Sequence, residues 1–246
     1  MSTVIYFKTF SNINRQLNIY AKQVTLPQMR ENENFPKAIS KYLTKTKIND
    51  LEGDGFILLI EIFQTSTFKD IANESFIDAL FNSLEHIKEE KVFLAIVNIL
   101  VSVSYDQGPG EDNLVLKYCA QHPHSRYFAE STLILLNKGK SEFLLKCLKL
   151  VSEVFAYEKT RDDFFYSNDL FTLLDIIIRE FVNNDDTDLK LAYLDALEGL
   201  ITCQNFQKTK PRVSDINEVF DEVTYSADAD PKLLDKIKQI KDSGLL

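Results

Sequence analysis

The stretch Leu170 to Val182, LFTLLDIIIREFV, constrains the fold more than any other part of the sequence. Nine of its thirteen residues are aliphatic or aromatic: Leu170, Phe171, Leu173, Leu174, Ile176, Ile177, Ile178, Phe181 and Val182. At about 100° per residue these positions cover most of a helix circumference, leaving Thr172, Asp175, Arg179 and Glu180 for water. A helix apolar nearly all round is buried on several sides. The β-branched run Ile176-Ile177-Ile178 also suits a buried strand. Length decides against it, since strands run about 4–8 residues. Ser167-Asn168-Asp169 supplies a helix-start signal. The expectation is the central helix of an all-α domain.

Composition narrows the function classes. With 246 residues and 45% hydrophobic content, the chain buries a real core. The expected organisation is a single armadillo-like domain over residues 1–246. Seven Gly and six Pro are few for this length and disfavour an all-β chain with many tight turns. A net charge of −9 argues against nucleic-acid binding, which needs a basic face to neutralise phosphates, and against adhesion to anionic membranes. The apolar runs Phe56 to Ile60 and Val92 to Val103 are too short or too interrupted to span a bilayer. The start, MSTVIYFKTF, lacks the basic-then-apolar pattern of a signal peptide. Cys119, Cys147 and Cys203 each lie in apolar helical patterns and read as buried thiols of a reducing cytosol.

Taken in order, apolar spacings of three or four mark helices near residues 4–24, 35–45, 56–63, 75–87 and 90–103. Asp106-Gln107-Gly108-Pro109-Gly110 is the clearest break, short enough for a hinge and too short for a domain linker. Helices then follow near 114–120, 127–136, 143–157, 170–182, 189–201, 216–223 and 233–240. No stretch reads convincingly as a strand. Connections of a few residues make neighbouring helices antiparallel. Grouping two or three helices per unit gives a unit of about 40–47 residues, the armadillo/HEAT range. The expected architecture is therefore an α-solenoid of about five repeats whose face binds a partner.

Several constellations invite chemistry and do not sustain it. Asp50, Glu52, Asp54 and Glu61 occupy positions 1, 3, 5 and 12 of a calcium-loop spacing, with Gly55 at position 6. Glu at position 3, the apolar Leu58-Leu59-Ile60 and the lack of a paired loop favour a plain turn, with Asp54 capping the next helix. Cys119, His122 and His124 form C-x-x-H-x-H, but a structural zinc site needs four ligands and no second cluster completes it. His122-Pro123-His124 reads as a helix end. No Ser or Cys pairs with a His in any spacing that supports nucleophilic catalysis, so the expectation is no enzyme, no cofactor and no metal. Basic residues gather on loops: Arg126, Lys138 and Lys140; Lys159 and Arg161; Lys208, Lys210 and Arg212. On an acidic protein such loops would steer and orient an acidic partner, although ordinary solubilising charge is the better reading of any single residue.

Two stretches carry a family resemblance. RYFAESTLILLNK, from Arg126 to Lys138, continues with Gly139. FFYSNDLFTLLDIIIRE, from Phe164 to Glu180, is followed by Leu189-Lys190-Leu191-Ala192-Tyr193-Leu194. Together they resemble the leucine-rich C-terminal domain of the WISH/DIP family, which includes the Nck-interacting SH3 protein of animals and its fungal counterparts. Asn137-Lys138-Gly139 matches the family's Asn-basic-Gly helix end. Tyr166-Ser167-Asn168-Asp169-Leu170 and Asp175 to Arg179 match the helix that follows, with Ser167 where Thr is usual. The similarity covers about residues 126–206, and the N-terminal half matches in helical character only. The sequence shows no SH3 domain or Pro-rich segment, so the resemblance implies a minimal member.

The resemblance also implies a function. Such proteins bind and activate the actin-related protein 2/3 complex without a preformed filament. They make linear filaments that seed branched networks, which places them in the cytoplasm at cortical, endocytic actin patches. Actin itself would be met indirectly, through the nucleated filament. The matched residues are structural: Leu170 to Ile178 as core, Asn168 and Asp169 at a helix start, Gly139 as a C-cap. No contact residue carries over. Arg126, Lys138, Lys140, Arg161, Lys208, Lys210 and Arg212 form the expected contact edge on charge alone.

Overall fold

The structure is a computed structural model that describes residues 72–138, 141–226 and 228–246. The helices expected near 4–24, 35–45 and 56–63 and the Asp50–Glu61 loop lie outside the described residues. Among the described residues there are eleven helices and no strand. They are α1 (Glu74–Ser83), α2 (Glu90–Gln107), α3 (Leu114–Gln121), α4 (Ser125–Lys138), α5 (Ser141–Ala156), α6 (Glu158–Arg161), α7 (Ser167–Asn183), α8 (Thr187–Ile201), α9 (Gln204–Thr209), α10 (Val213–Tyr225) and α11 (Pro231–Asp242). The chain divides into two compact units, Met1–Phe128 and Ala129–Leu246.

In the first unit α1, α2 and α3 pack on one another. Phe76, Ile77, Leu80 and Phe81 of α1, Val97, Leu100 and Val101 of α2, and Val115 and Leu116 of α3 are buried. Asn73 starts α1 by accepting the Phe76 N–H at 3.0 Å on Oδ1, a side-chain cap for an otherwise orphaned donor. The expected break at Asp106–Gly110 ends α2, with Gly108 at φ 75°. Asn113 fastens that turn. Its Nδ2 donates to the Ser104 carbonyl at 3.0 Å and the Gly108 carbonyl at 2.8 Å, while Oδ1 accepts the Leu116 N–H that opens α3. One buried amide thus closes one helix and starts the next.

The second unit is organised around α8, which touches α5, α7, α9 and α11. This corrects the expectation that Leu170 to Val182 is the central, all-round buried helix. In α7 the buried set is Leu170, Leu173, Leu174, Ile176, Ile177 and Phe181, while Phe171 and Val182 are 44% and 50% exposed. α7 is therefore amphipathic, one face on α8 and α10, the other in water. Centrality belongs to α8 because its small residues let other helices approach. A Cβ built on Gly199 would lie 2.7 Å from the Cβ of Phe155 on α5. That atom is fixed to the α5 backbone and cannot swing away. Gly199→Ala is expected to destabilise the unit by roughly 1–3 kcal/mol. This holds even though Ala is the better helix former by about 1 kcal/mol. Denaturant unfolding checks it, and a variant as stable as the parent would contradict the close packing.

Helix starts follow local chemistry. Asp186 Oδ1 accepts the Asp188 and Leu189 N–H groups at 2.9 and 3.2 Å, and Asp230 accepts the Lys232 N–H at 2.8 Å with Pro231 at the first helical position. α7 differs from the expected cap. Ser167 and Asn168 are already helical, and the Asp169 carboxylate reaches back to accept the Tyr166 N–H at 3.1 Å. The short helices α6 and α9 were not anticipated, because four and six residues carry no readable period.

Candidate partner-binding surface

The basic residues singled out from sequence meet different fates. Arg161 closes α6 and is spent on the end of α5. Its Nε donates to the Phe155 carbonyl at 2.8 Å and its Nη2 to the Ala156 carbonyl at 3.3 Å. Those carbonyls are the orphaned acceptors at a helix C-terminus, where a cation also meets the negative end of the dipole. Arg126 lies half-buried in the first turn of α4, in the first unit. Lys138 is the last residue of α4, and Lys140 and Gly139 lie outside the described residues. Lys159 is exposed, with its ammonium 5.9 Å from the Tyr157 ring centroid.

Lys208, Lys210 and Arg212 do come together, at the corner between α9 and α10. Lys210 and Arg212 both take left-handed backbone, φ 42° and 55°, on either side of Pro211. Such angles are costly for residues with a Cβ and persist where the surroundings hold them. Arg212 shows how. Its Nε donates to Asp215 Oδ2 at 2.7 Å and its Nη1 to Asp175 Oδ1, tying the corner to both α10 and α7. Its hydrogen bonds to Asp215 and Asp175 raise the Arg212 pKa above its ordinary value, and Arg212 in turn holds the Asp215 carboxyl below its own. Lys208 and Lys210 stand exposed beside this anchored arginine.

Next to them is a groove that the sequence reading missed. Ser167, Leu170 and Phe171 of α7, Leu200 of α8, and Phe206, Lys208 and Pro211 around α9 border a cavity of about 100 Å³ that opens to solvent. The sequence pattern places Phe171 in the core. Its half-exposed ring instead forms a wall of this groove. A signal existed in the pattern: Phe171 breaks the three-four spacing of Leu170, Leu173, Leu174, Ile177 and Phe181.

The remaining constellations are structural. Cys119, Cys147 and Cys203 are buried free thiols. Burial pushes the Cys119 thiol well above its usual range and Cys147 to about 12, which leaves both unreactive. His122 follows the end of α3 as expected, and its ring lies 5.7 Å from that of Tyr118 and 5.1 Å from that of Phe81. Burial lowers the His122 pKa, against the opposing pull of Asp78, 3.7 Å away. Among the described residues no group of three His, Cys, Asp or Glu side chains is placed to hold a metal ion. No helix among them is long and apolar enough to cross a membrane.

Comparison with known proteins places this helical region. The family described as SPIN90/Ldb17, leucine-rich domain, matches residues 73–216. That span opens at the α1 cap, contains the resemblance over 126–206 and extends it toward the N-terminus. Protein LDB17 of Saccharomyces cerevisiae is 29% identical over 151 residues, covering 58% of this chain and 29% of the yeast protein. The chain thus spans less than a third of that relative's length.

Proposed function

Because this chain belongs to the SPIN90/Ldb17 leucine-rich-domain family, we propose that it binds the actin-related protein 2/3 complex and activates it without a preformed filament. The family match over residues 73–216 is the observation that carries this reading. The product is a linear actin filament that seeds a branched network at cortical, endocytic patches. The helices form an armadillo-like stack in this reading, and the stack is a docking platform rather than a reaction centre.

The physical requirement is a population shift. A binder changes the balance between inactive and filament-like arrangements only through its differential affinity for them. Moving a balance of about 1:99 to 99:1 takes about a 10⁴-fold preference. A stiff surface meets that requirement better than a loose one, because less ordering is lost on binding. The well-filled α5–α8 interface in the second unit supports such stiffness.

The contact residues in this reading are basic: Arg126 in the first unit, and Lys138, Lys140, Arg161, Lys208, Lys210 and Arg212 in the second. Arg161 and Arg212 already make bonds within the chain. Charge reversal at Lys138 and Lys140 is expected to keep the fold and to slow association with the complex, an effect that shrinks as salt rises. The deciding experiment is pyrene-actin assembly with the complex, actin and this protein alone. Acceleration without added filaments is expected. Binding without acceleration would leave only a scaffold.

A further inference from the structure

We propose that the groove between α7, α8 and α9 docks a short acidic segment of a protein partner, anchored by an aromatic or leucine side chain. The inference concerns a linear segment and stands independently of the actin reading.

Three observations converge on that occupant. The first is size and lining. A cavity of about 100 Å³ bordered by Leu170, Phe171, Leu200, Phe206 and Pro211 suits one apolar anchor side chain. Phe171 keeps 44% of its surface in water although its helix offers a buried face, so the groove presents a ready aromatic wall.

The second is charge. Lys208 sits on the rim and Lys210 follows it, and neither enters an ion pair among the described residues. The nearby carboxylates make their bonds to groups other than these two lysines. Asp169 accepts the Tyr166 N–H, Asp162 accepts the Gln204 N–H at 2.7 Å, and Asp175 and Asp215 hold Arg212. In a chain of net charge −9, two uncommitted ammonium groups beside an apolar slot select a partner segment rich in Asp and Glu.

The third is rigidity. Pro211 fixes one backbone angle, left-handed Lys210 and Arg212 flank it, and Arg212 is bolted to two helices. The rim is set before any ligand arrives, which lowers the ordering cost of binding. An apolar side chain in the slot with carboxylates facing the lysines follows the anchor-and-rim logic of protein interfaces.

The test pans a library of short random peptides against the full chain and measures the recovered peptides by fluorescence anisotropy. Recovered sequences should be acidic, with Phe or Leu at fixed spacing, and binding should weaken with salt. Lys208→Glu combined with Lys210→Glu should weaken it by about tenfold. Thr209→Trp, which fills the groove from an exposed position and gives up only the exposed Oγ1 hydrogen bond to the Asn205 carbonyl, should weaken it similarly while leaving the circular-dichroism melt nearly unchanged. The proposal is overturned by a basic or uncharged consensus, by no recovered binder, by variants that bind as the parent does, or by preference for phosphatidylserine vesicles over every peptide.

Discussion

Ile177→Asp is expected to unfold the second unit outright. Ile177 is 1% exposed on the face of α7 that also buries Leu170, Leu173, Leu174 and Phe181. That face lies on α8 and α10, and the site leaves a carboxylate almost no surface through which to be hydrated. Ionised burial costs several kcal/mol, and keeping the group protonated costs stability at neutral pH as well. Domains of this size carry about 5–15 kcal/mol in all. The matched control is Val182→Asp on the same helix, where the side chain is 50% exposed and the effect should stay within about 0.5 kcal/mol. Thermal melts by circular dichroism and limited proteolysis distinguish the two. An Ile177→Asp variant that melts within a few degrees of its parent would mean that the α7 packing is wrong.

The contrast between those two positions shows what the sequence could reveal. Spacing located α1 to α5, α7, α8, α10 and α11 to within a few residues, because each carries a buried stripe at three-four intervals. It misjudged α7 because counting apolar residues does not tell a buried face from a wetted one. Phe171 and Val182 count the same as Leu173 and Ile177 in the string, yet they face water. It overlooked α8 as the hub because closeness there depends on Gly199 meeting Phe155, a pair separated by 44 positions. The candidate surface was half legible. Lys208, Lys210 and Arg212 read as one basic loop and meet at one corner, although Lys208 belongs to the last turn of α9. Arg161 read the same way but serves the end of α5, and only coordinates show that. Of the groove only Phe171, off the three-four spacing, left a trace in the sequence, since it draws on three helices and one of them, α9, has no period to find.

Glu153 gives the second large effect, and its sign depends on pH. The residue is 5% exposed on α5, and burial drives its carboxyl up to about 7 from an ordinary value of 4.5, with Lys149 pulling the other way. The unfolded chain releases this proton near the ordinary value, while the folded chain keeps it until about 7. Between those points the native state binds more protons, so stability falls as pH rises and levels off above the folded pKa. The loss is on the order of 3 kcal/mol at most. Glu153→Gln keeps the shape and removes the charge. It should match the parent near pH 4.5 and exceed it by roughly 1–3 kcal/mol at pH 8. The first unit runs in the opposite sense over part of the same range. Burial lowers the His122 pKa below 6.5, so the unfolded chain takes up the proton first and that unit weakens as pH falls past this value. Raising the pH through the weakly acidic range should therefore firm one unit while loosening the other. Hydrogen exchange, read separately for residues on either side of Phe128, measures both slopes at once. If the parent and Glu153→Gln proteins track each other across the range, the buried carboxyl is not the source of the second slope.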